Sequence, residues 1–160
     1  MQFRILYYNK DTSLLLLGKK CKINGLCHKE QTILSPEEVQ NITGENYAPP
    51  KDKENRLLWE LYTKRNTQGL RPKTIVDYIR EPFCYGPGNV RVTLDHHIRT
   101  GLTCTDFLNP NCITIPTRDM PIILEVKWDE FLPTVIRDIV QTPGTHTAAF
   151  SKYAACRIYG

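Results

Sequence analysis

The chain has 160 residues, 41% of them hydrophobic, enough for one domain with a buried core and too apolar for a disordered tail. Twenty-one basic against seventeen acidic residues leave a formal charge of +4, too small by itself to announce nucleic-acid binding. No apolar run approaches a membrane span, no secretory leader is evident, and six cysteines without a Cys-x-x-Cys read as reduced thiols, so the expected setting is soluble and cytoplasmic.

In chain order, Phe3 to Tyr8 reads as a strand, Asn9-Lys10-Asp11 as a turn, and Ser13 to Ile23 as a second strand that becomes basic at Lys19, Lys20 and Lys22. An Asn24-Gly25 turn leads to a third strand over Cys27 to Ile33. The chain opens directly on a strand, which sets the expectation that further strands precede it. Ser35-Pro36-Glu37-Glu38 is a helix start, with Ser35 as N-cap, Pro36 at the first helical position and Glu38 closing a capping box; that helix ends near Gly44. Glu54 to Thr67 predicts a second helix with Leu57, Leu58, Leu61 and Tyr62 on one face.

β structure returns over Thr74 to Arg80, with Pro82 to Asn89 read as a loop. Gly86-Pro87-Gly88 reads as a turn rather than a phosphate cradle, because no helix start follows it. Val90 to Asp95 is a strand with Arg91, Thr93 and Asp95 on one face. Residues 100 to 121 are turn-rich, and ILEVKW from Ile123 is a strand with Glu125 and Lys127 on one side and Leu124, Val126 and Trp128 on the other. Phe131 to Gln141 and Thr147 to Arg157 are expected to be helices, Trp59 and Trp128 core anchors, and Cys84 and Cys156 buried small groups. His96 and His97, adjacent on a strand, point to opposite faces and do not make a zinc site.

Collected by face, Arg4, Lys20, Lys22, Lys29, Tyr78, Arg80, Arg91, Glu125 and Lys127 describe sheet that is apolar on one side and charged on the other. Two pictures produce this pattern. Either the charged side faces water, as in an ordinary antiparallel sheet. Or the sheet closes into a barrel whose charged side lines a wet interior, with the helices packed outside; arginine forks suit phosphate oxygens, and a carboxylate among them suits a divalent metal.

The segments KKCKINGLCHKE (19 to 30), LRPKTIVDYIREPF (70 to 83), GNVRVTLDHHIRTGL (88 to 102), TDFLNP (105 to 110), ILEVKWDEFLP (123 to 133) and AFSKYAACRIYG (149 to 160) resemble, in order, the VTC domain, the polyphosphate polymerase domain of the triphosphate tunnel metalloenzyme superfamily. The resemblance implies an α+β fold, residues 1–160 forming one antiparallel β-tunnel, and transfer of the terminal phosphate of ATP to a growing inorganic polyphosphate chain with a divalent metal, manganese before magnesium. It implies that Arg4, Lys20, Lys29, Arg80 and Arg91 hold phosphates, with Lys20, Arg80, Arg91 and Glu125 at the reaction itself. Tyr78 adds a hydrogen bond, Glu125 ligates the metal, Ser151 and Lys152 bind phosphate near one mouth, and Lys127 pairs with Glu125 or substrate.

The family pattern also sets expectations of difference. Its first tunnel strand has a second arginine where Leu6 stands, its second strand a glutamate where Gly18 stands, and its domain a strand-helix-strand segment ahead of residue 1. Open sheet edges would then invite self-association. The alternatives are a tunnel that binds polyphosphate or triphosphate without turnover, and a metal-dependent triphosphate hydrolase. Nucleic-acid binding is disfavoured, because few aromatic residues interleave with the cations.

Overall fold

A computed structural model describes residues 1–24, 26–45, 47–119 and 121–158. It is an α+β structure with antiparallel sheets, and it divides into two compact units: residues 1–73 with 105–112, and residues 74–104 with 113–160. Gly25 of the expected Asn24-Gly25 turn lies outside the described residues.

The first unit is built on a three-stranded sheet of β1 (Gln2–Tyr8), β2 (Asp11–Ile23) and β3 (Leu26–Leu34), in that order. Asn9 and Lys10 both have positive φ, the backbone demanded by a tight turn that matches strand twist. Cross-strand partners share a face, so the register sorts the side chains. Phe3, Ile5, Leu15, Leu17 and Leu34 face one way, while Gln2, Arg4, Leu16, Gly18, Lys20, Lys22, Lys29 and Gln31 face the other.

The apolar side is covered by α1 (Pro36–Thr43) and α2 (Arg56–Gln68). Leu15, Leu17 and Leu34 pack there with Val39, Ile42, Leu57, Leu58 and Leu61. α1 starts with the expected capping box, Ser35 Oγ accepting from the Glu38 amide and Glu38 accepting from the Ser35 amide. α2 is capped by Asn55 and stops at Gly69, whose φ of 66 is a left-handed C-cap. Trp59 is half-buried, its indole N–H donating to the Asp52 carbonyl.

In the second unit, β5 (Val90–Thr100) is the hub, pairing antiparallel with β4 (Val76–Tyr85), the short β6 (Ile115–Pro116) and β7 (Ile123–Lys127). Two strands outrun their expected ends. β4 continues through Pro82 to Tyr85, where a loop was expected, because among the described residues β4 pairs only with β5 and an edge strand tolerates a proline. β5 continues past Asp95 through a bulge, in which His97 and Ile98 stand against Tyr78 alone and His97 takes a φ of 52.

The β4–β5 connection is a 3₁₀ turn over Pro87–Asn89. The expected C-terminal helices are shorter: α3 is Thr134–Ile139, with no buried residue, and α4 is Lys152–Cys156. α4 does not cover the apolar side of this sheet. It docks on the charged side, where the Thr100 hydroxyl donates to the Cys156 carbonyl and Lys152 reaches Asp95.

The expected core roles divide. Cys156 is buried, but Cys84 is exposed, and Trp128, just beyond β7, is 48% exposed. The strands form two separate sheets, and no closed barrel occurs among the described residues. Nor is any helix among them long and apolar enough to cross a membrane.

Candidate phosphate site

The register of β4, β5 and β7 lays out the charged face of the second unit in three rows. Arg80, Asp95 and Ile123 form one, Pro82, Thr93 and Glu125 the next, and Cys84, Arg91 and Lys127 the third. Alternation along each strand had placed Arg91 with Asp95 and Glu125 with Lys127; pairing puts them together. Tyr78 lies two residues before Arg80 on β4, and α4 brings in Lys152 from the end of the chain.

Asp95 is the centre of this cluster and completely buried. Arg80 grips it with two parallel bonds, Nε to Oδ1 and Nη2 to Oδ2, each 2.6 Å. Lys152 Nζ reaches the same Oδ2 at 2.5 Å. The Tyr78 ring lies beside both cations, 5.5 Å from the Arg80 guanidinium carbon and 4.8 Å from Lys152 Nζ, within cation–π range.

Glu125 is half-exposed and pairs with Lys127 at 3.1 Å, while its other oxygen is 3.7 Å from Arg80 Nη2. Arg91 is exposed. The Thr93 hydroxyl is buried and makes no hydrogen bond among the described residues. Ser151 is taken up as the N-cap of α4, its hydroxyl accepting from the Ala154 amide.

Burial pushes the Asp95 carboxyl up, but the hydrogen bonds and charges of Arg80 and Lys152 outweigh it and hold the group below its ordinary value. The Arg80 guanidinium is held further toward its charged form, chiefly by its hydrogen bond to Asp95. Asp95 and Arg80 are therefore both ionised at neutral pH. Four cations, Arg80, Arg91, Lys127 and Lys152, face two carboxylates, which leaves the cluster positive and suited to an anion.

Arg4, Lys20 and Lys29 lie in the first unit, on the side of its sheet opposite the helices. Lys20 stands directly across from Lys29, with Arg4 two residues from Gln2, the other neighbour of Lys20. All three are exposed, and none makes an ion pair among the described residues. Leu6 and Gly18 share that side with them.

A family model of the VTC domain matches residues 1–158. The chain belongs to the VTC domain family. No curated protein and no solved structure matches it. Membership gives this VTC domain a polyphosphate-related role, in keeping with a face that gathers Arg80, Arg91, Lys127 and Lys152.

Among its described residues no group of three or more His, Cys, Asp or Glu side chains is arranged to hold a metal ion. A single half-exposed carboxylate beside cations does fit a hard divalent ion that takes most of its oxygen ligands from phosphate and water. Glu125 is that carboxylate. Asp95 carries no role in the sequence reading, although alternation had already set it on the face of Arg91; its partners Arg80 and Lys152 are 15 and 57 residues away, beyond any local spacing rule.

Proposed function

We propose that this VTC domain is a polyphosphate polymerase that transfers the γ-phosphoryl group of ATP to the end of an inorganic polyphosphate chain. One observation carries the reading: Arg80 and Lys152 meet on a single buried carboxylate, beside Arg91 and Glu125 on one sheet face. Such convergence of cations on a strand face is what a row of phosphate groups requires. Arg4, Lys20 and Lys29 extend the same chemistry on the other sheet, and the β-tunnel of the superfamily is part of the proposal.

In this reading an oxygen of the terminal phosphate of the chain attacks the γ-phosphorus of ATP. The bond from that phosphorus to the β–γ bridging oxygen breaks, and ADP leaves with the electron pair. No protein nucleophile takes part, so the side chains act by alignment and charge neutralisation. Arg80 and Arg91 hold the phosphates in line, Lys152 shares the phosphate of Arg80 with Ser151 beside it, Tyr78 steadies the cations, and Lys20 binds phosphate on its own sheet. Glu125 would hold a divalent ion, manganese or magnesium, which when bound neutralises phosphate charge. Lys127 releases Glu125 for that purpose by turning to phosphate.

The test is polyphosphate synthesis from ATP and manganese by the purified chain, with Glu125→Gln beside it. Polymer from the wild type and at least a hundredfold less from the variant, roughly the effect of losing a charge-stabilising group, supports the reading. Free phosphate in place of polymer would make the protein a triphosphate hydrolase. A second reading, binding without turnover, is favoured by the present pairing of Glu125 with Lys127. Tripolyphosphate binding with no ATP consumption would establish it.

A further inference from the structure

Asp95 is a buried anion at the centre of a face proposed to bind anions, and on charge alone it should oppose the ligand. Its geometry argues for the reverse. Arg80 gives it Nε–H and one Nη2–H in a fork, leaving three of the five guanidinium N–H groups uncommitted to it. Lys152 gives it one N–H and keeps two. Because Arg80 Nη2 and Lys152 Nζ share the one oxygen Oδ2, the two nitrogens are no more than about 5 Å apart, close enough for both to bond one phosphate group.

Without the carboxylate between them the two cations repel at that distance. Lys152 stands at the first position of a five-residue helix, and Arg80 has its own rotamer freedom, so each would have to be ordered by the ligand at a cost in affinity. Tyr78 presents its ring to both and does not bring them to a common point.

We propose that Asp95 is a positioning residue for phosphate, locking Arg80 and Lys152 into a two-pronged clamp whose remaining N–H groups take the oxygens of one phosphate in a phosphate chain. The inference rests on the phosphate-binding reading above. It separates two effects that oppose each other in one substitution: Asp95→Asn makes the face more positive and at the same time loosens the clamp.

The experiment is calorimetric titration of inorganic tripolyphosphate, without metal at neutral pH, into the full chain, Asp95→Asn, Lys152→Met and the double variant, with circular dichroism to verify folding. Asp95→Asn is expected to bind roughly tenfold more weakly despite its added positive charge, about the effect of losing one charge-assisted contact. In the Lys152→Met background the same change should cost less, because half the clamp is already gone. Equal or tighter binding by Asp95→Asn, or effects that simply multiply, would overturn the proposal. Should Asp95→Asn fail to fold, Arg80→Lys carries the test, since it keeps the charge and loses the fork; unchanged affinity there overturns it equally. A wild type that binds no tripolyphosphate ends the phosphate reading and this inference together, whereas a binding wild type with an undiminished Asp95→Asn ends the inference alone.

Discussion

Arg65 and Asp95 are the two charged residues most deeply buried among those described, and the fold satisfies them in opposite ways. Arg65 is met by neutral carbonyls: Nη1 donates to Ile42, which the end of α1 leaves without a helical partner, and Nη2 to Gly44 and Glu45 just beyond it. A cation at a helix C-terminus is also favoured by the helix dipole. Arg65→Met should therefore destabilise the chain by about 2 kcal/mol, as the buried Ile42 carbonyl and the part-buried Gly44 and Glu45 carbonyls lose their donor, and Arg65→Lys, with no fork, should recover only part of it; urea unfolding measures both. Asp95 is met by opposite charge, and its folded pKa lies below the unfolded one, so its stabilisation is complete above the unfolded value near 4 and is lost as pH falls through the folded value. Melting temperature should drop on acidification below about pH 4, and in Asp95→Asn, already less stable at pH 7, this contribution to the drop should be absent.

Among the elements, β5 determines what the charged face can hold. The extra residue at His97 shifts the alternation, so that Thr100 returns to the side of Asp95 and α4 finds both of its anchors on one face. Deleting His97 should remove the bulge yet leave Asp95 and Thr100 four residues apart in a regular strand, still on one face, so α4 should stay docked. Cys156 supplies the readout: burial pushes its thiol up, so it should alkylate slowly in the wild type and as slowly in the deletion variant, below the rate of the exposed Cys27 and Cys84; fast alkylation in the variant would show that the bulge itself holds α4. The turn before β5 is equally constrained. Gly88 has a φ of 73, and a Cβ there would stand 2.3 Å from the Phe131 carbonyl oxygen, so Gly88→Ala should cost about 2 kcal/mol or more in the same urea assay.

At the scale of the whole molecule the two units differ in how much they bury. The first unit has a cluster of eight buried apolar residues, whereas Val90, Ile98 and Cys156 are the buried apolar residues described in the second. Hydrogen exchange should accordingly be slower at the amides of β2 than at those of β7, and equal protection would contradict this ranking. The same contrast governs what was legible in the sequence. Period-2 alternation and a capping box sufficed for β1 to β3 and for α1, because each is a local pattern backed by the core. They did not reveal β4 beyond Arg80 or β5 beyond Asp95, since an edge strand excuses the proline and the bulge breaks the period. Arg80, Arg91, Glu125 and Lys127 were readable as one face, but the Arg80–Asp95–Lys152 contact joins three elements that no spacing connects. The two charged faces also differ in kind. The cations of β1 to β3 share their side with no carboxylate from Gln2 to Leu6 or at the positions opposite, whereas the cluster on β4, β5 and β7 has Asp95 and Glu125. Simple salt should thus loosen a polyanion from the first face by screening alone, while retention on the second should change with the divalent cation in the buffer, so that sodium chloride and manganese act as separate controls on one protein.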